Sequence, residues 1–136
     1  MSSLKFRSLR GVWSLVAAST VVALVGCGSG EKLHTVQGKV VYSDGQPVTG
    51  GAITFNNAAK QLSATSEIAE DGSFDLEFGD SRGAPAGDYQ VTVTGKSDYG
   101  EPPTVADVYG DPTRSPLTQT IVEGTNDLEI KVERPK

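Results

Sequence analysis

Cysteine, histidine, methionine and tryptophan each occur once in the 136 residues. A single cysteine, Cys27, excludes an intrachain disulfide and any mixed cysteine–histidine metal site of the usual four-ligand kind. The single histidine, His34, lies close to Cys27 in a stretch that reads as a linker. A mobile imidazole cannot serve a Ser-His-Asp or Cys-His arrangement, which holds its base in fixed geometry. His34 is therefore expected to be a solvated linker residue. Acidic residues are missing before Glu31, and no apolar run reaches the roughly 18–20 residues of a spanning helix. Beyond the first ten residues, clustered basic residues are missing too. Lys32, Lys39, Lys60, Arg82, Lys96, Arg114, Lys131, Arg134 and Lys136 are scattered through an acidic chain. Phosphate backbones repel such a surface, so nucleic acid is excluded as a partner.

What is present begins with a leader. Lys5, Arg7 and Arg10 form a positively charged start, and residues 11–26 follow as an uncharged, mostly apolar stretch of 16 residues. That length suits the apolar region of a secretory signal. Leu24-Val25-Gly26-Cys27 closes it, with an apolar residue three positions before the cysteine and a small residue immediately before. This resembles the lipobox of bacterial lipoproteins. The resemblance implies cleavage after Gly26 and diacylglyceryl or palmitate-type acylation of the Cys27 thiol. Each buried CH₂ contributes about 0.8 kcal/mol, so two or three chains on one cysteine anchor durably where one holds only reversibly. Residues 1–26 are thus expected to be a signal peptide, and 27–32 a lipidated cysteine with a flexible tether (Gly28-Ser29-Gly30-Glu31-Lys32). Gly28 in place of an aspartate points to an exported protein at the outer membrane or cell surface rather than the inner membrane. The leader takes three of the 12 basic side chains with it, leaving 9 against 17 acidic ones and a formal net charge of −8.

From residue 33 to 136 the dominant signal is alternation of apolar and polar residues, broken by turn dipeptides. Val36, Gly38, Val40 and Tyr42 share one face of a first strand, with Gln37, Lys39 and Val41 opposite. Asp44-Gly45 turns the chain, and Ile53 and Phe55 face inward from a second strand. A polar third strand near Ser63–Ala69 reads as an edge, and Glu70-Asp71-Gly72 reads as a tight hairpin into a fourth carrying Phe74, Leu76 and Phe78 inward. The fifth strand sets Tyr89, Val91 and Val93 inside, the sixth spans Leu117–Val122, and the seventh places Leu128, Ile130 and Val132 inside. Glu123-Gly124-Thr125-Asn126 reads as the turn before it. Seven short strands without helical periodicity predict an all-β, single antiparallel β-sandwich.

These residues resemble a known family. The run Gly38 to Phe55 is similar to the opening of carboxypeptidase regulatory-like domains, Glu70 to Phe74 to their next hairpin, and Pro85 to Val93 to the strand after it. The tail from Tyr109 to Leu117, with Glu123 to Leu128, looks like a variant found in small bacterial lipoproteins. The resemblance implies a transthyretin-like, prealbumin-type sandwich serving as scaffold. Pro85 to Tyr89 further resembles a tyrosine corner, in which a buried ring keeps its hydroxyl bonded to nearby backbone. Transthyretin-like hydrolases use several histidines, and this chain has one.

Enzymatic and cofactor chemistry finds little support. Asp80, Asp98, Asp107 and Asp111 lack the spacing of a calcium loop, so no metal or cofactor is expected. Lys39 and Asn126 are the one tempting pair for an isopeptide bond, but the pattern points Lys39 to solvent. Asp75 and Glu77 share a strand face about 7 Å apart, without the deep cleft that a glycosidase needs. No catalytic residue is assigned. The segment of about 20 residues from Gly95 to Pro116 is long for a compact domain, and its Tyr99, Tyr109 and Asp111 are the candidate partner-binding residues. One alternative is that it crosses between sheets and packs its tyrosines over an open end. The expectation is a non-catalytic, lipid-anchored cell-envelope module whose partners are the membrane and an envelope protein or glycan. The competing expectation is a small-molecule carrier or accessory subunit of an envelope enzyme.

Overall fold

The computed structural model describes residues 31–136. The leader, the lipobox residues Leu24, Val25 and Gly26, and Cys27 lie outside the described residues. Ten β-segments form in order: β1 (Leu33–Tyr42), β2 (Gly51–Asn57), β3 (Leu62–Glu67), β4 (Ser73–Asp75), β5 (Glu77–Phe78), β6 (Ser81–Arg82), β7 (Ala84–Pro85), β8 (Gly87–Gly95), β9 (Thr118–Ile121) and β10 (Thr125–Val132). No α-helix occurs among the described residues; one 3-10 turn spans Asp107–Gly110. Two sheets result, neither closed into a barrel. The first runs β10-β1-β4, with β7 beside the start of β1, and the second runs β6-β5-β3-β2-β8-β9. The all-β, sandwich-like expectation holds.

The alternation reads most of the faces correctly. Val36, Val40, Ile130 and Val132 of the first sheet are buried with Ile53, Phe55, Val91 and Val93 of the second. Phe55 sits at the centre, its ring 6.3 Å from Phe74 and 6.1 Å from Tyr89. Tyr89 is buried and donates its hydroxyl to the Pro85 carbonyl at 2.8 Å, as the corner motif predicts. Burial, with the negative charge of Glu31 adding to it, raises the Tyr89 phenol above its usual range. At the Asp71-Gly72 turn, Gly72 adopts φ +83°, and a Cβ there would press on the Val40 carbonyl at 2.7 Å.

Six expectations are corrected. The sheet is not purely antiparallel: β1 and β10, the first and last strands, pair in parallel from Thr35↔Thr125 to Tyr42↔Val132. The turn at residues 70–72 does form, with Gly72 N–H donating to Ala69 C=O at 2.9 Å. It does not close a hairpin, because β4 leaves β3 and pairs with β1 in the other sheet. The predicted fourth strand then splits at Leu76, whose N–H donates to Val36 C=O in the first sheet while β5 joins β3 in the second. Strands that switch sheets make the corners of sandwiches.

The last three corrections are single residues. His34 is not a solvated linker side chain; it is 6% exposed within β1, and its Nδ1 accepts the Gly124 N–H at 3.1 Å. Asn126 is not a turn residue; it is buried in β10. Its Oδ1 accepts the Val122 N–H at 2.9 Å, and its Nδ2 donates to the carbonyls of Val122 (2.9 Å) and Thr35 (3.2 Å). Both side chains satisfy backbone groups that the turn between β9 and β10 would otherwise leave unpaired. Val41, expected on the wet face, is also buried, covered by a bridge to Pro47.

Candidate functional site

The segment between β8 and β9 divides into two parts with different roles. Its first part, Lys96 to Thr104, projects. Glu101 N–H donates to Asp98 C=O at 3.0 Å, Gly100 takes φ +89°, and Ser97 Oγ donates to Glu101 C=O at 3.3 Å. Glycine at the third position supplies the positive φ that such a turn requires. Lys96 and Asp98 lie 3.6 Å apart across its base. The turn holds Tyr99 fully exposed.

The second part, Val105 to Leu117, packs. Val105 is buried, and Tyr109 and Leu117 lie partly buried against the core. Ala106 N–H donates to Glu133 C=O at 3.0 Å, and Ser115 Oγ donates to Val91 C=O at 2.6 Å. The segment therefore joins β8 of the second sheet to the end of β10 in the first. Burial, with Glu133 nearby, raises the Tyr109 phenol above its usual range. Asp111 closes its own turn. Its carboxylate accepts from the Thr113 hydroxyl at 2.6 Å, the Thr113 N–H at 2.8 Å and Arg114 Nε at 2.9 Å. The Thr113 hydrogen bonds, then Arg114, hold that carboxyl below the usual range.

Tyr99, Tyr109 and Asp111 are thus not brought together as one surface. Tyr109 packs as in the alternative reading, Asp111 is a turn former, and of the three only Tyr99 is fully exposed. Tyr42 OH donates to Thr104 C=O at 2.8 Å, which fixes the projecting turn at the far end of β1 from Leu33. Ten residues of strand make that separation about 30 Å. At the same far end Arg134 stacks over the Tyr42 ring at 3.8 Å and bonds Asp44 at 2.8 Å.

A second concave feature escapes sequence reasoning. Where β4 leaves β3, an open groove of about 860 Å³ is lined by Lys39, Glu67, Asp75, Glu77 and Asp127 among others. Asp75 pairs with Arg82, and its Oδ1 has no partner among the described residues. Asp75 and Glu77 border one groove from two different sheets. Lys39 is exposed and stands opposite Glu129, while Asn126 stands opposite Val36, so that pair is not brought together. Five chain segments contribute to the groove, and no local pattern could have announced it. No group of three or more His, Cys, Asp or Glu among the described residues is placed to hold a metal ion. No described helix is long and apolar enough to cross a membrane. No family model, curated protein or solved structure matches the chain.

Proposed function

We propose that this protein is a non-catalytic, lipid-anchored module of the bacterial cell envelope. The chain is cut before Cys27, acylated there, and carries a carboxypeptidase regulatory-like, prealbumin-type domain over residues 33–136. The observation that carries this reading is the ordered succession of charged start, 16-residue apolar stretch and Leu24-Val25-Gly26-Cys27. The position of the domain supports it. The strand β1 begins at Leu33, a few tether residues after Cys27, so the tether can span at most about 20 Å. The domain then stands with its β1 start toward the lipid and Tyr99 facing outward, where an envelope protein or glycan can reach it. An exposed tyrosine on a closed turn offers a large contact area with little side-chain entropy to lose.

Labelling cells with palmitate tests the anchor. The wild-type protein incorporates label and enters the detergent phase, and Cys27→Ala does neither. A Cys27→Ala protein still labelled or still in the detergent phase overturns the reading. Contact through the outer turn is tested by crosslinking in native membranes, where Tyr99→Ala loses a crosslinked product that Tyr109→Phe retains.

A further inference from the structure

The sheet edge formed by β10 is open over most of its length. Among the described residues β10 has one neighbour, β1, and is the longest outer strand of either sheet at eight residues. Backbone direction along it follows from two hydrogen bonds. Ser43 N–H donates to Val132 C=O at 3.1 Å, so Val132 faces β1, whereas Ala106 N–H donates to Glu133 C=O at 3.0 Å from the other side. Successive residues of a strand aim their amides to opposite sides. Thr125, Asp127, Glu129 and Lys131 therefore direct N–H and C=O away from β1, with no strand of the described residues beside them. Their side chains are exposed, and neither a proline nor a bulge interrupts the stretch. Ala106 already uses the last outward position, which shows that this edge accepts a neighbouring chain.

We propose that the β10 edge is a strand-addition site for an extended segment of another protein bearing lysine or arginine at alternate positions. Charge selects that occupant. Glu123, Asp127, Glu129 and Glu133 lie in or beside β10, whose one cation is Lys131, its Nζ 3.6 Å from Glu129. Lys39 stands opposite Glu129 on the β1 side, away from the open edge. A second copy paired over the full stretch is disfavoured. Antiparallel overlap of the free stretch sets Asp127 opposite Glu129 twice, and in-register parallel pairing sets each carboxylate opposite itself. Like charges directly opposite destabilise a strand pair, and charges are a recurrent defence of open edges. Opposite charges at alternate positions of an added strand reverse that effect, while the main-chain bonds supply affinity. The inference stands on the sheet alone and does not depend on the anchor at Cys27.

Hydrogen exchange of the full-length protein in detergent tests it, using a nine-residue peptide of alternating lysine and valine and a counterpart with glutamate for lysine. The lysine peptide slows exchange across residues 125–131, and the glutamate peptide does not. Lys131→Pro removes an outward N–H and also a positive charge. Added-strand pairing makes this variant bind the lysine peptide about tenfold more weakly, although simple attraction to an acidic surface would strengthen binding. Lys131→Gln keeps the amide and retains binding. Should Lys131→Pro fail to fold, Thr125→Pro removes the outward N–H at the other end. The proposal is overturned by protection elsewhere only, by Lys131→Pro binding as tightly as wild type, or by equal binding of the glutamate peptide. Protection of the same amides that rises with protein concentration in the absence of peptide overturns it in favour of self-pairing.

Discussion

At the scale of single residues, the polar groups that matter most for stability are those that local sequence misreads. Asn126 satisfies three backbone groups, two of Val122 and one of Thr35, where the last described strand meets the first. Asn126→Ala leaves those groups unpaired in a buried site and is expected to cost about 2–4 kcal/mol, read from urea unfolding. Asn126→Asp keeps the acceptor toward Val122 N–H but loses both donors, so it should also destabilise. Tyr89→Phe removes one buried hydroxyl bond and is expected to cost about 1 kcal/mol. The corner at Tyr89 was legible because motif and partner lie four residues apart. The role of His34 was not, because its partner lies 90 residues away in sequence. Asn126 bonds Val122 four residues away, but it sits in a strand rather than a turn through pairing with β1, where the Thr35 carbonyl it bonds lies 91 residues away. Local propensity saw only a linker and a turn.

At the scale of elements, period-two alternation reports which side of a strand is buried and is silent on which strand lies beside it. Phe74, Leu76 and Phe78 alternate without a break, although the chain passes from one sheet to the other at Leu76. The inward side is the same core in both sheets, so the crossing leaves no mark in the pattern. The parallel pairing of β1 with β10 is hidden for the same reason. The segment between β8 and β9 shows the converse, since its length marked it as unusual but did not reveal its division. Val105→Ala, in the packed part, is expected to cost about 2 kcal/mol. Tyr99→Ala, on the projecting turn, should change stability by less than about 0.5 kcal/mol. Paired thermal melts check the division, and a Tyr99→Ala protein as unstable as Val105→Ala contradicts it.

At the scale of the whole molecule, an acidic chain stabilises its turns with the carboxylates that make it acidic. Asp44, Asp71 and Asp111 each accept the amide two residues ahead, from Gln46 (3.0 Å), Ser73 (3.0 Å) and Thr113 (2.8 Å). The Gln46 amide and then Arg134 hold Asp44 below the usual carboxylate range, and the Ser73 hydroxyl and amide do the same for Asp71. With Asp111 also lowered, all three bind protons less readily folded than unfolded. Their stabilisation is complete above the unfolded value, about 4, and is lost as pH falls through the lower folded values. The thermal midpoint is therefore expected to drop below about pH 4. Asparagine offers the same acceptor oxygen without titrating, so a variant combining Asp44→Asn, Asp71→Asn and Asp111→Asn should lose less stability over that range. The substitutions also remove the charge partners of Arg134 and Arg114, so the variant starts from a lower midpoint at neutral pH. The slope of the midpoint against pH distinguishes the two effects. Equal slopes for variant and wild type would assign acid sensitivity to the other carboxylates and to net charge, and would remove these three turns from the account.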